Sequence, residues 1–245
     1  MSRVRLVRVL RILAFAISCS ASFALQATDH WFYKAVIAWD KNQYTQARRL
    51  FMQSAKLGNI EACYNIGVIY QQGYGTRRNL RRAKYWFKRA ARKGNSNAEF
   101  ALARLIIAQR RKSAGDIINA KQWLTSAAHK RHAAAMYWLG TLYTMGQGVK
   151  IDHKRAAYWY IRAAKSGFAS AQIHAARLYS RGIGVKLNIV TAYAWAKMAM
   201  LQGAAPARYN WLYIKKRMNK RQQNAGEILV QRLIYQQNSR RAHKN

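Results

Sequence analysis

The chain has 245 residues, half of them apolar and 12% aromatic, enough for one domain or one repeat array with a sizeable core. Lys and Arg number 44 against 7 Asp and Glu, a formal charge of +37, which fits either an acidic partner or a species-wide bias toward basic proteins and says nothing of fold. One proline, Pro206, suits a mostly helical chain, and seven scattered acids argue against acid–base catalysis.

Residues 1–27 read as an export signal. Arg3, Arg5, Arg8 and Arg11 precede the apolar run Ile12 to Ile17, and cleavage patterns follow at Ser22-Phe23-Ala24 and Leu25-Gln26-Ala27. The run is short for a membrane span, so a cleaved leader is expected and no stable span after it. Ala16-Ile17-Ser18-Cys19 is a poor lipoprotein box, and loss of Cys19 with the leader leaves Cys63 as a lone thiol with no intrachain disulfide. Localisation is therefore expected to be exported, either periplasmic or secreted.

Residues 28–61 form a capping hairpin. An aromatic helix runs from His30 to Trp39, Asn42 starts the second helix, Ala47, Phe51 and Ala55 line one face, and Gly58 ends it. Four units then cover 62–206, as 62–97, 98–134, 135–170 and 171–206. In the first, Asn79 or Thr76 caps the second helix. Nine basic residues and no acid lie between Arg77 and Lys93, and they are expected on the solvent face because Ala83, Trp86, Ala90 and Ala91 fill the inner one. The second unit is degenerate: Arg110 to Asp116 lacks the Gly-x-Gly turn, and Arg131 stands where the other units have Gly94, Gly167 and Gly203. Residues 207–237 read as two polar-backed closing helices, with Trp211 and Leu212 turned inward, Asn219 as a cap, and Ile228, Leu229, Leu233 and Ile234 apolar. Residues 238–245 read as a loose, disordered basic tail.

The units are kept in phase by several residue types together. Tryptophan recurs at Trp86, Trp123, Trp159 and Trp195, spaced by 37, 36 and 36 residues, each between alanines three before and four after. Helix-opening alanines recur at Ala62, Ala98, Ala135, Ala171 and Ala207, and Gly-x-Gly turns at Gly73/Gly75, Gly146/Gly148 and Gly182/Gly184. Small residues at helical spacing let two axes approach, and one such hairpin needs a copy on either side to bury both its faces. Gly67, Tyr70, Gly140, Tyr143 and Tyr179 hold further repeat positions, and Trp159 with Tyr143 is expected to fill the gap between hairpins.

Ala135, Leu139, Gly140, Tyr143, Gly146, Gly148, Val149, Ala156, Trp159, Ala163, Ala164 and Gly167 resemble the Sel-one-like repeat, a relative of the tetratricopeptide repeat. The resemblance covers about Asp29 to Leu201 and is weakest in the second unit. It implies an all-α, right-handed solenoid of antiparallel helix hairpins, about six pairs, that binds proteins or peptides and has neither catalytic residues nor a cofactor. Exported bacterial members of that family act as envelope adaptors or meet host cells, and some regulate signalling receptors or peptidoglycan-processing enzymes. A cysteine-rich branch is associated with β-lactam binding, and this chain lacks its cysteine pairs.

The residues themselves point to holding rather than reacting. No Ser-x-x-Lys signature occurs, and His129 and His132 have ligand spacing without an evident third ligand, so no metal is expected. On the first helix of each unit, the positions opposite the packed ones carry Tyr64, Asn65 and Val68; Phe100, Ala101 and Arg104; Tyr137, Trp138 and Thr141; Ile173, His174 and Arg177. In the architecture the resemblance implies, these line the concave face. Arg104, Tyr137, Trp138, His174 and Arg177 are the candidate partner-binding residues, of the types that dominate hot spots. The alternative for the tyrosines is packing between helices. The expected partner is a protein or peptide segment, possibly an acidic one by the charge. A nucleic-acid binder and a participant in peptidoglycan processing are the alternatives, the first opposed by the leader.

Overall fold

A computed structural model describes residues 29–109, 111 and 113–242, apart from the side chains at positions 240 and 241. The export signal, Cys19 and the last three residues lie outside the described residues. Twelve helices and no strand are present among those described. They are α1 (residues 29–40), α2 (Tyr44–Lys56), α3 (Ile60–Gln72), α4 (Leu80–Arg92), α5 (Ser96–Ile107), α6 (Ala114–His129), α7 (Ala133–Met145), α8 (His153–Lys165), α9 (Ala169–Arg181), α10 (Ile189–Leu201), α11 (Ala205–Lys216) and α12 (Lys220–Ala242). The protein is an all-α solenoid of helix hairpins. Two compact units divide at Ala98 and Glu99.

Each hairpin is built by the same local devices. The recurring alanines Ala62, Ala98, Ala135, Ala171 and Ala207 are wholly buried, which lets helix axes approach. First helices α3, α7 and α9 end on Gly73, Gly146 and Gly182 in the left-handed conformation. Second helices start on Asn79, Asp152 and Asn188, whose side-chain oxygens accept from Arg82, Arg155 and Thr191 backbone N–H groups. The backbone N–H of each cap also donates back across the hairpin, to the carbonyls of Tyr70 (2.8 Å), Tyr143 (3.0 Å) and Tyr179 (2.9 Å). One residue thus starts the second helix and pins it to the end of the first. The degenerate second unit solves the same problem differently: Ser113 and Asp116 form a reciprocal capping box at the start of α6.

The hairpin interior pairs a small residue with a large one. A Cβ added to Gly67 would lie 2.5 Å from the Phe87 ring, and one added to Gly140 would lie 2.9 Å from Tyr160. In these two hairpins the residue after the tryptophan, Phe87 or Tyr160, fills the close approach. Phe87, Leu124, Tyr160 and Ala196 are all buried, whereas Trp86 and Trp123 are half-buried. Trp159 and Trp195 are buried, and the Trp159 edge meets His129 of the preceding second helix. Trp86 and Trp159 share a setting, each flanked by a tyrosine edge and covered by the arginine three residues on. Tyr143 is only half-buried, under Arg155, while Tyr70 is buried between Arg48 and Arg82.

The second glycine of each Gly-x-Gly turn has a separate task. Gly75 abuts Thr45 at the start of α2, Gly148 abuts Ile117 at the start of α6, and Gly184 abuts His153 at the start of α8. The turn of one hairpin thereby seats against the opening of the preceding second helix.

Several expectations need correction. Gln43, not Asn42, precedes α2: Asn42 sits at φ +60° and its side chain accepts from the Tyr44 hydroxyl. Arg131 itself adopts the left-handed conformation, φ +63°, that glycine has in the sister units. Leu212 is exposed, and Ala207 and Ile214 are the buried residues of α11. Asn219 does cap α12, in a reciprocal pair with Gln222. However, α12 turns Gly226, Val230 and Leu233 inward and leaves Ile228 exposed, because only a narrow stripe fits against α10. It also continues to Ala242, so positions 238–242 are helical. The nine basic residues of Arg77 to Lys93 are all exposed, as the inner alanines require.

Candidate functional site: an aromatic and basic row on the first helices

The compact part of the chain from Glu99 onward brings the five candidate residues together, on the first helices α5, α7 and α9. Arg104, exposed on α5, lays its guanidinium over the Trp138 ring of α7, 4.2 Å from the centroid. Next to Trp138 on the same helix, Tyr137 touches the rings of Tyr160, Phe168 and His174. His174, on α9, stacks face to face on Tyr160 at 4.6 Å and an interplanar angle of 11°. The Arg177 guanidinium donates to His174 Nδ1 at 2.8 Å, so the ring proton sits on Nε2 and faces the Tyr137 hydroxyl at 3.4 Å. Burial, and then the positive charge of Arg177, push the His174 pKa down to about 4, so the ring is neutral at physiological pH.

The row therefore has two kinds of member. Tyr137 and His174 tie α7, α8 and α9 together, and Tyr64 does the same work against Phe87 in the first unit. Position three of the first helix packs, as the alternative reading of those tyrosines expects. Arg104, Trp138 and Arg177 present surface. Neither arginine meets a carboxylate among the described residues. The ion pairs there are Lys130–Glu99, Arg155–Asp152 and Lys197–Glu227, all elsewhere. At the start of α7, the His132 ring lies 4.7 Å from Phe100 and its Nδ1 accepts from the Ala135 backbone.

A feature that the sequence analysis missed extends the row. A cavity of about 320 Å³ opens between α9 and α11, lined by Arg177, Ser180, Arg181, Asn210, Tyr213 and Arg217 over a floor that includes Ala176 and Ile214. The pairs Arg177/Arg181 and Tyr213/Arg217 each have four-residue spacing, a signal visible in the sequence. The phase of Ala207 sets α11 next in the row of first helices, but no pattern in the sequence brought the two pairs to one opening.

Among the described residues no group of three His, Cys, Asp or Glu side chains could hold a metal ion. His129 meets Trp159 and His132 caps α7. Cys63 is buried, and burial raises its thiol pKa, which keeps it protonated.

The model of the Sel1 repeat matches residues 60–95, 96–132, 133–168 and 169–203. The chain belongs to the Sel1 repeat family. Its units open two residues before Ala62, Ala98, Ala135 and Ala171, at the first turn of each first helix. Sel1-repeat proteins are generally protein–protein interaction scaffolds. A Sel1 repeat protein from Oxalobacter formigenes is similar in structure, with a TM-score of 0.60 and 29% identity over 66% of this chain and 64% of that one. A protective antigen with an SLR fold, present in uropathogenic Escherichia coli strains, matches with a TM-score of 0.58 and 26% identity over 89% of this chain and 55% of its own. Chitin synthase regulatory factor 1 of Schizosaccharomyces pombe is 34% identical over 104 residues, 40% of this chain. That match spans only 22% of the yeast protein.

Proposed function

We infer that this chain is an exported, non-catalytic scaffold that holds an acidic protein or peptide segment along the first helices α5, α7 and α9, in the bacterial cell envelope or at a host interface. The observation that carries this reading is the Arg104–Trp138 pair beside Arg177: two guanidiniums with no carboxylate of their own and an aromatic face, on one continuous row. Such a row offers a partner's acidic side chains charge-assisted hydrogen bonds that the chain itself leaves unmade. The arginine-rich start of the sequence and its short apolar run support export. The likeness to a protective antigen and to a regulatory factor fits a surface that is recognised or that recruits.

The test is crosslinking in intact cells, with fractionation to fix the compartment. Trp138→Ala is expected to lower recovery of the wild-type partner at least about tenfold, as for a buried aromatic anchor, with helicity by circular dichroism unchanged. Equal recovery with the variant would remove the row as the binding surface. A chain found in the cytoplasm with its leader intact would remove the export part.

A further inference from the structure

We propose that the cavity between α9 and α11 is a carboxylate pocket, built to take a glutamate or aspartate side chain of the peptide segment that lies along the row. The proposal rests on the scaffold reading and sharpens it. Arg177, Arg181 and Arg217 all line this one cavity of about 320 Å³, and none of them makes an ion pair among the described residues. Three like charges around one opening repel each other until an anion arrives, so the arrangement is complementary to negative charge.

Two of the three are already held in place. Arg217 donates to the Tyr213 hydroxyl at 2.6 Å and lies over that ring, and Arg177 is fixed by His174. Side chains ordered before binding lose less entropy when the ligand enters. Their remaining N–H groups match the two oxygens of a carboxylate, a geometry that a lysine cannot supply. Ser180 and Asn210 complete a polar wall, while the buried Ala176 and Ile214 give a floor for methylene groups. An acidic side chain has both parts: an aliphatic stem and a planar charged end.

Continuity points to a peptide rather than a free anion. Arg177 belongs to the pocket and to the Tyr137–His174 row alike. A segment that contacts Trp138 can therefore run on through Arg177 and place an acidic residue in the pocket.

The probe is a fluorescein-labelled octapeptide of alternating glutamate and alanine with an amidated C-terminus, followed by fluorescence anisotropy on the full chain. Arg181→Gln and Arg217→Gln, both at exposed positions, are each expected to weaken binding about tenfold. Lys84→Gln, exposed on α4 in the first unit, is expected to leave it unchanged. The glutamine version of the peptide is expected not to bind. Circular dichroism of each variant confirms that the fold is kept. Equal loss with Lys84→Gln, or no loss with either arginine variant, would overturn the pocket in favour of diffuse charge. Absence of saturable binding by the wild type would overturn it as well. Displacement of the peptide by equimolar inorganic phosphate, or by a single-stranded oligonucleotide of equal charge, would reassign it as a general anion site. In intact cells, capture that depends on Trp138 but not on Arg181 or Arg217 would sink the pocket and leave the scaffold reading standing. Loss of Trp138 dependence with the peptide result intact would do the reverse.

Discussion

At the scale of single residues, the glycines divide by what stands opposite them. Gly184 and Gly203 both adopt a positive φ, +69° and +76°. A Cβ at Gly203 meets nothing within 4 Å, whereas one at Gly184 would lie 2.1 Å from the His153 carbonyl oxygen. Backbone cannot rotate away as a side chain does. Gly203→Ala therefore pays only the left-handed penalty, about 1 kcal/mol. Gly184→Ala adds the cost of moving the start of α8 and is expected to lose about 3 kcal/mol or more. Urea denaturation of the two variants checks this, and equal losses would show that the turn is not a seat for the preceding helix. Much of this was legible in the sequence, because Gly-x-Gly recurs in phase. What was not legible is the division of labour: the first glycine ends a helix, and the second touches a segment thirty or so residues earlier, a contact no local pattern announces. The candidate row was legible for a related reason. Positions three, four and seven of a first helix follow from the packed positions by geometry. The stacking of His174 on Tyr160 had no signal in the sequence, where position 160 stands beside the recurring tryptophan at 159.

At the scale of elements, α12 closes the array without a repeat partner of its own. Gly226, Val230 and Leu233 face inward, with Gly226 so close to Tyr193 that a Cβ would lie 2.5 Å from the ring. The Tyr193 hydroxyl donates to Glu227 Oε1 at 2.5 Å, and Lys197 Nζ reaches both carboxylate oxygens at 2.6 and 2.5 Å. Further along, Gln237 donates to the Ala164 carbonyl at the end of α8. Burial, and then the hydrogen bond to Glu227, push the Tyr193 pKa up to about 12. Burial raises the Glu227 pKa, but the hydrogen bonds from Lys197 and Tyr193 and the nearby positive charges outweigh it, and the net shift is downward from 4.5. A carboxylate with a depressed folded pKa contributes stability above its unfolded pKa and loses it as pH falls through the folded value. Glu227→Gln is thus expected to lower Tm at neutral pH by about 2–4 °C, the shift of roughly 1 kcal/mol in a chain of this size. Below about pH 4 the difference between variant and wild type should shrink, as the wild-type carboxylate protonates. Thermal melts across that range are the check, and a gap that persisted at low pH would mean that the carboxylate charge is not what docks α12. The sequence showed that a closing helix exists and where it is capped. It did not show which face docks, because the apolar pairs 228/229 and 233/234 straddle two faces and Gly226 carries no hydrophobic mark.

At the scale of the whole molecule, charge is the dominant fact. The 44 basic residues face 7 acids, and three of those acids, Glu99, Asp152 and Glu227, are already engaged in ion pairs. The formal excess is +37, and the exposed side chains of Arg77 to Lys93 crowd nine positive charges onto one helix and the turn before it. Mutual repulsion among surface charges destabilises the folded state, and salt screens it over a Debye length of about 10 Å at 0.1 M. Stability is therefore expected to rise with sodium chloride, by several degrees in Tm between about 10 mM and 0.3 M, the opposite of a protein held by surface ion pairs. The same salt should weaken capture of an acidic peptide, since both effects screen one field. The two are separable through the double variant Arg181→Gln with Arg217→Gln, which changes the formal charge only from +37 to +35. Its Tm should rise with chloride as the wild type does, because the distributed field is almost untouched. Its affinity for the acidic octapeptide should be low at every salt concentration, because two of the three guanidiniums of one pocket are gone. A variant whose peptide binding followed the wild-type salt curve would place recognition in the distributed charge rather than in the pocket, and the basic surface itself would then be the partner-binding device.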